Sequence, residues 1–172
     1  GVDFDTFHPI EADKDFAVVF CGNMQYKPNV DAAQFLVKEI MPYVWKQSPE
    51  ARVVLAGATP KPSVRRLAGD RVTVTGSIDD IRPFYASSAV FVAPMRMGSG
   101  LQNKLLEAMA MGIPCITTPI ANEALGAEAG THLLLGSTAT ELADCITTLL
   151  ASPQRASEMA SKAMHFVHGN FS

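Results

Sequence analysis

The chain contains the continuous apolar run Phe16-Ala17-Val18-Val19-Phe20-Cys21, which Gly22 closes. A strand with one wet face alternates polar and apolar residues, whereas an unbroken apolar run is typical of a strand buried on both faces of a parallel sheet. Residues 31–47 then repeat apolar side chains at helical spacing, and Asp31 would bring negative charge to the positive end of that helix. The two segments predict a strand and a helix of an α/β sheet.

Short apolar strands and amphipathic helices continue to alternate along the rest of the chain. Further strands are predicted at residues 52–57, 71–76, 89–94, 113–118 and 132–135. Further helices are predicted at residues 62–67, 79–86, 101–111, 138–150 and 153–168. This order predicts the α/β class, as a Rossmann-like, doubly wound parallel sheet with helices on both faces. Residues 1–12 lack periodicity and are interpreted as a linker, which leaves residues 13–172 as one domain.

Composition excludes several classes of protein. With 172 residues, 48% hydrophobic and 18% charged, the chain fits one folded domain and not a disordered segment. The net charge of −3 argues against a nucleic-acid-binding protein, which normally carries a basic face. No run of 18 apolar residues predicts a membrane span. The three dispersed cysteines are interpreted as free thiols of a reducing compartment such as the cytoplasm.

The segment from Pro94 to Gly112 carries the chemistry that the sequence suggests. It reads as a strand end, a glycine-containing loop with Gly98 and Gly100, and then a helix. Glycines let backbone N–H groups approach an anion, and a helix N-terminus adds unpaired donors and positive potential. Arg96 and Lys104 add positive charge, so this loop predicts a phosphate or diphosphate site. Glu107, about one turn into the helix, could accept hydrogen bonds from a vicinal diol such as that of a ribose.

These residues resemble the donor-binding core of family 4 retaining glycosyltransferases, in the C-terminal Rossmann-like half of the GT-B fold. That family's pattern, Leu-Glu-Ala-Met-Ala-x-Gly-x-Pro-Val, is similar to Leu106-Glu107-Ala108-Met109-Ala110-Met111-Gly112-Ile113-Pro114-Cys115. Gly1-Val2-Asp3 with Phe7 and Pro9 resembles the linker between the two halves of such enzymes. Pro94-x-Arg96 and Gln102-Asn103-Lys104 are most similar to exopolysaccharide-type sugar transferases of the exosortase system.

The resemblance implies a site for a nucleoside-diphosphate sugar. Glu107 would bind the ribose, and Arg96 and Lys104 would stabilise the leaving diphosphate. The loops would contribute the remaining contacts, mostly through main-chain groups: Gly22, Asn23, Gly76, Ser77, Gly98, Ser99, Gly100, Leu101 and Gln102. No metal and no other cofactor is expected, because the segment from Pro94 to Gly112 has no Asp-x-Asp motif and already supplies positive groups.

Three residues depart from the family pattern. Ser99 stands where the first of two family glutamates would bind the donor sugar, and Asn23 stands where the first loop usually has an arginine. Lys27 is out of register by one position with the family lysine. These departures leave the donor sugar and the group that neutralises the leaving phosphate open.

The resemblance also implies that the chain is the C-terminal domain of a longer protein whose N-terminal, acceptor-binding domain is absent. The parent would transfer a sugar, with retention, to a glycan or lipid-linked acceptor in cell-surface polysaccharide synthesis. The 172-residue fragment alone would be inactive. The expected partners are the nucleotide-sugar and the missing domain, without nucleic acid. The expected location is cytoplasmic, at the inner face of the plasma membrane if the missing half binds there.

Alternative interpretations of the same residues remain. Gly98-x-Gly100-x-x-Asn103 partly fits the fingerprint of nicotinamide-dinucleotide oxidoreductases, although it follows the fourth strand and not the first. A sugar-nucleotide epimerase of the GT-B fold and a non-catalytic nucleotide-binding module are two others. Glu107 could instead form a surface pair with Lys104, three residues before it on the helix. Structural roles are expected for Gly112 as a helix C-cap, for Asp79 and Asp80 as helix caps, and for His165 and His168 on a helix face.

Overall fold

Six parallel strands form one sheet in the order β3-β2-β1-β4-β5-β6 in the computed structural model, which describes residues 1–98 and 100–172. The strands are β1 (Phe16–Cys21), β2 (Val53–Ala56), β3 (Val72–Val74), β4 (Ser88–Ala93), β5 (Cys115–Thr117) and β6 (Leu134–Leu135). The helices are α1 (Lys27–Phe35), α2 (Met41–Gln47), α3 (Pro62–Arg65), α4 (Arg82–Ala86), α5 (Asn103–Ala110), α6 (Pro119–Leu125), α7 (Ala139–Ala151) and α8 (Pro153–Asn170). A π-helical turn at Leu36–Ile40 joins α1 to α2. The predicted Rossmann-like fold class is confirmed.

Strand β1 lies at the centre of the sheet, as its unbroken apolar run predicts. It pairs with β2 on one side and with β4 on the other, and Val18, Val19 and Phe20 are fully buried. The connections from β1 run first toward β3 and, after the crossover to β4, toward β6. The loops after β1 and β4 therefore leave the carboxyl edge side by side at the point where the strand order reverses, which is where α/β sheets bind ligands.

Two sequence predictions about helices need correction. The first helix begins at Lys27 and not at Asp31, because Pro28 is compatible with the first helical turn. Asp31 therefore lies beyond the first turn, and its carboxylate pairs with Arg96. Helix α6 was not predicted, since its seven residues are too few for a clear period, and the Thr118 hydroxyl caps it by accepting from the Ala121 N–H.

Other capping predictions have mixed outcomes. Gly112 directly follows Met111, the C-cap of α5, with a positive φ of 72°, so its structural role at this helix end is confirmed. The N-cap position of α4 is Ile81, and neither Asp79 nor Asp80 occupies it. Asp80 nevertheless accepts a hydrogen bond from the Arg82 N–H at 3.0 Å and pairs with its guanidinium at 2.9 Å.

The N-terminal segment predicted to be a linker lies against the domain. The N–H of Val2 donates to the Phe171 carbonyl at 3.1 Å, and Phe4 stacks on His168 with ring centroids 3.8 Å apart. Arg82 donates through Nη1 to the Thr6 carbonyl at 3.3 Å. The segment thus contacts α4 and the end of α8, and His168 takes part in packing.

Neither a membrane-spanning helix nor a cluster of metal ligands is found in the part of the chain that the structure describes. No helix within residues 1–98 and 100–172 has the length and apolar character needed to cross a bilayer. In that part of the chain, no three side chains of His, Cys, Asp or Glu are grouped as metal ligands would be.

Candidate functional site

Two glycines allow the loops after β1 and β2 to touch at the carboxyl edge of the sheet. The Gly22 N–H donates to the Ala56 carbonyl at 3.0 Å. A Cβ atom added to Gly57 would lie 1.8 Å from the Gly22 carbonyl oxygen, and Gly57 has a φ of 146°. Any side chain at Gly57 would therefore force the two loops apart and open the floor of the crevice.

The loop from β4 to α5 forms the next wall of the crevice. Gly98 and Gly100 have φ values of 94° and 90°, a backbone conformation that L side chains rarely adopt. Two buried threonines after β5 hold the start of this loop: Thr117 donates to the Ala93 carbonyl at 2.7 Å and Thr118 to the Met95 carbonyl at 2.6 Å. The predicted site residue Ser99 lies outside the described residues.

Helix α5 begins at the end of this loop without a side-chain cap. Gln102 is its N-cap residue, and Leu101 packs partly buried against the core. Among the described residues, none accepts a hydrogen bond from the backbone N–H of Leu101, Gln102 or Asn103. These donors and the positive end of the helix dipole supply the anion-binding geometry that the sequence predicted.

Lys104 lies in the first turn of α5, and its ammonium group joins two loops. Its Nζ donates to Asn29 Oδ1 at 3.0 Å and to Gln102 Oε1 at 3.3 Å. Asn29, only 4% exposed, in turn donates through Nδ2 to the Asn23 carbonyl at 3.1 Å. Burial lowers the pKa of Lys104 from its ordinary value. Both hydrogen-bonded partners of the ammonium are uncharged amides, so its positive charge can still act on an anion in the crevice.

Arg96 is held against α1 and the π-helical turn. Its guanidinium bonds to both Asp31 oxygens, at 2.7 and 3.0 Å, and comes within 3.8 Å of a Glu39 oxygen. It also lies over the Phe35 ring, 4.0 Å from the centroid. The Asp31 pairing raises the pKa of Arg96 and offsets its charge. Arg96 therefore anchors the β4–α5 loop to α1, and Lys104 is the better placed cation for a phosphate.

Glu107 is half-buried, and its carboxylate bonds to a tyrosine. The Tyr85 hydroxyl donates to Glu107 Oε1 at 2.9 Å, whereas the Lys104 ammonium bonds elsewhere, so the alternative of a surface pair between Glu107 and Lys104 is not what the structure shows. Burial raises the pKa of Glu107, against the opposing effects of the Tyr85 hydrogen bond and the Lys104 charge.

The second oxygen of that carboxylate differs from the first. Oε2 has no hydrogen-bond partner among the described residues. No described side chain leaves a buried polar atom without a partner. Glu107 Oε2 must therefore lie where solvent or a ligand can reach it.

A third element of the crevice lies after β3. Gly76 and Ser77 line an open groove of about 400 Å³ together with Thr59, Pro60, Arg65, Ala68, Val74 and Thr75. The Thr75 hydroxyl accepts from the Gly57 N–H at 3.2 Å and thereby joins this groove to the β1–β2 loops. Thr59 has a positive φ of 46°, a strained conformation for a threonine. The groove suits a flat group held by main-chain contacts, as predicted for the base of a nucleotide.

The described residues that the sequence singled out lie in the loops after β1, β3 and β4 and in the first turns of α5, and the structure adds Asn29, Tyr85 and Cys21. Cys21 was interpreted as a buried free thiol, which is confirmed, but its Sγ lies 3.1 Å from the Tyr85 hydroxyl. The sequence feature that could have identified Asn29 as a site residue is its polar side chain next to Pro28 at the start of a helix. Tyr85 had no local signal, since only folding places its hydroxyl near Glu107.

Comparisons with known proteins agree with this geometry. Residues 15–152 match the sequence profile of the family described as Glycosyl transferases group 1. A 44.6 kDa protein from the cps region of Klebsiella pneumoniae is 24% identical over 177 residues, which cover 95% of this chain and 46% of that protein. The chain therefore spans about half the length of that curated relative.

Two solved structures are similar over the whole chain. One is the C-terminal domain of LpcC, a glycosyl transferase group 1 family protein of Francisella tularensis, with a TM-score of 0.74, 17% identity and 99% of that domain covered. The other is HepE of Anabaena in complex with UDP and glucose, with a TM-score of 0.80, 16% identity and 51% of its chain covered. At these identities the similarity shows the fold, which is that of a GT-B C-terminal domain.

Proposed function

The chain belongs to the family of glycosyl transferases group 1, and we propose that it is the donor-binding domain of an enzyme that transfers a sugar from a nucleoside diphosphate. The observation that carries this proposal is the position of Glu107. One of its carboxylate oxygens is held by Tyr85, and no described residue bonds to the other, which lies about one turn beyond N–H groups of α5 that have no acceptor among the described residues. A carboxylate that can accept hydrogen bonds from a diol, next to a site for a diphosphate, matches the ribose and the diphosphate of a nucleotide.

Each part of the donor has a place in the crevice. The N–H groups at the start of α5 and the Lys104 ammonium would bind the diphosphate, and Gly22 allows close approach from the β1 side. The groove at Gly76 and Ser77 would hold the base. During transfer, the bond from the sugar to the diphosphate breaks and a bond to an acceptor oxygen forms. We infer that Lys104 offsets the negative charge left on the diphosphate, with Arg96 holding the loop in place.

The parent protein would transfer the sugar with retention to a glycan or lipid-linked acceptor. The K. pneumoniae relative from a cps region supports a role in surface polysaccharide synthesis, and the UDP and glucose bound to HepE support a nucleotide-sugar donor. The N-terminal half would supply the acceptor site and any membrane contact. The proposed location is the cytoplasm. The family match argues against the nicotinamide oxidoreductase, while an epimerase of this fold would share the same donor site.

We expect the chain to bind a nucleoside diphosphate without a divalent metal. Positive potential comes from Lys104 and the helix N-terminus, and the segment from Pro94 to Gly112 has no Asp-x-Asp motif. In a thermal-shift panel of UDP, GDP, ADP, CMP and NAD with EDTA, the correct ligand at 100 times its dissociation constant should stabilise the fold by about 2.7 kcal/mol. Stabilisation by NAD alone would support the oxidoreductase. Binding that appears only when magnesium replaces EDTA would contradict the metal-free site.

Glu107→Gln should weaken binding of that diphosphate roughly 10- to 100-fold, because the charge-assisted bonds to the two ribose hydroxyls are lost. Isothermal titration calorimetry measures the change, and circular dichroism checks that the fold is intact. Glu158→Gln is a matched control, since Glu158 is an exposed glutamate of α8. Equal dissociation constants for wild type and Glu107→Gln would show that Glu107 does not bind the ribose and has a structural role only.

The pH dependence of nucleotide binding is a second test of the predicted role of Glu107. Diol hydroxyls donate to the ionised carboxylate, so affinity should fall as the pH decreases through the Glu107 pKa. Burial holds that pKa above the ordinary glutamate value, so the loss should begin at a higher pH than for an exposed glutamate. Glu107→Gln, which cannot titrate, should remove this part of the pH profile.

A further inference from the structure

Tyr85 lies beneath the crevice in a position that packing determines completely. Its side chain is 0% exposed. The ring meets Phe91 of β4 at a centroid distance of 5.8 Å and Phe7 of the N-terminal segment at 6.5 Å, the latter edge-on at 78°. Because rings on two sides enclose it, the phenol cannot turn away, and its hydroxyl stays directed at the carboxyl edge of β1 and at α5.

Three polar atoms surround that hydroxyl, and their chemistry sets the direction of each hydrogen bond. Glu107 Oε1 lies 2.9 Å away, Cys21 Sγ 3.1 Å away and the Lys104 carbonyl 3.4 Å away. A carboxylate can only accept, so the single phenolic hydrogen goes to Glu107, the shortest of the three contacts. Burial raises the pKa of Cys21 to about 12, so the thiol keeps its proton and donates to the Tyr85 oxygen.

The donor chain from Cys21 through Tyr85 therefore ends on one oxygen of Glu107. A free glutamate side chain samples many rotamers, and ordering it during ligand binding costs conformational entropy. Here one carboxylate oxygen is already fixed, and Oε2, to which no described residue bonds, is left to accept from a ligand. A preordered acceptor binds its ligand with a smaller entropic penalty.

We propose that Tyr85 is the positioning residue for the Glu107 carboxylate, and that its buried hydroxyl tunes how strongly the site prefers a nucleotide with an intact ribose diol. The inference rests on the proposed function, since it takes Glu107 to bind the ribose. Tyr85 itself does not reach the ligand, so its effect should be confined to the contact that Glu107 makes.

The test compares ligands that differ only in the diol. Calorimetry measures the dissociation constants of UDP, GDP and ADP and of their 2′,3′-dideoxy forms. For the nucleotide that binds most tightly, the preference for the diol is the dissociation constant of the dideoxy form divided by that of the ribonucleotide. Tyr85→Phe should lower this preference about fivefold, as expected for one lost hydrogen bond. It should weaken the binding of the ribonucleotide and leave the binding of the dideoxy form unchanged. Glu107→Gln should remove most of the preference. A general disturbance of the fold would weaken both members of the pair equally.

Two further variants complete the design. Tyr43→Phe also removes a tyrosine hydroxyl, but at an exposed position of α2, and it should keep the preference unchanged. Phe7→Ala loosens the Tyr85 ring without touching its hydroxyl and should lower the preference in the same direction. If Tyr85→Phe does not fold, Phe7→Ala is the test of the proposal. A preference for the diol that is the same in Phe7→Ala as in wild type would then overturn it.

The outcomes separate the two proposals. A preference that falls in Glu107→Gln but stays at the wild-type value in Tyr85→Phe would overturn the positioning role and leave the proposed function standing. A preference unchanged in Glu107→Gln, or no binding of any of the three diphosphates, would overturn the proposed function and this inference with it.

Discussion

A parent protein that carries Lys104→Gln should turn over about 100- to 1,000-fold more slowly at saturating donor, with a much smaller rise in the Michaelis constant for the donor. A preorganised positive group at developing charge is typically worth about 2.7–4 kcal/mol of barrier. Among the described residues, the Lys104 ammonium bonds to two neutral amides, on Asn29 and Gln102, and to no carboxylate that would offset its charge. Steady-state kinetics of the full-length protein measures both constants.

Arg96 provides an internal comparison for this prediction. Because Asp31 already pairs with its guanidinium, Arg96→Ala should lower turnover less than Lys104→Gln does, and alanine at both positions should lower it most. Lys46→Gln removes a charge from an exposed lysine of α2 and serves as the control. Equal changes in turnover and the Michaelis constant, or none, would mean that the leaving diphosphate is neutralised from Lys27 or from the N-terminal half.

The same kinetics should find the 172-residue chain inactive on its own. Positioning two reactants can contribute about 7–11 kcal/mol of the barrier, and this chain is proposed to hold the donor alone.

The second large effect is on stability. Gly57→Ala should destabilise the domain by about 3 kcal/mol or more, because the added Cβ would meet the Gly22 carbonyl oxygen at 1.8 Å and the backbone has a positive φ. For a domain of this size, such a change lowers the melting temperature by roughly 6–12 °C. Differential scanning calorimetry measures the loss, and nucleotide affinity should fall with it because the β1 and β2 loops separate.

Gly69→Ala is the matched control for that substitution. A Cβ at Gly69 meets no atom within 4 Å, and no positive φ is recorded there. This variant should remain close to wild type in melting temperature and in affinity. If Gly57→Ala were as stable as Gly69→Ala, the contact between the two loops would not constrain the fold.

The fold could be predicted because its signals are local. The unbroken apolar run of β1 and the glycines at strand ends are patterns within short stretches of sequence. They can therefore be recognised without knowledge of the tertiary contacts. Two short elements had different outcomes. Helix α6, with seven residues, was not predicted, whereas the two-residue strand β6 lies within the predicted strand at residues 132–135.

The sequence by itself determined the class of the sheet, the edge at which the crevice forms and the residue types that surround it. Only the tertiary structure decided which groups those side chains meet. Arg96 pairs with Asp31, 65 residues away, Lys104 bonds to Asn29, 75 residues away, and Glu107 accepts from Tyr85. Local spacing placed Glu107 next to Lys104 on one helix, but an exposed ion pair of that kind contributes little. Once folding buries the Tyr85 hydroxyl, leaving it without a partner would cost more, so the buried hydrogen bond prevails.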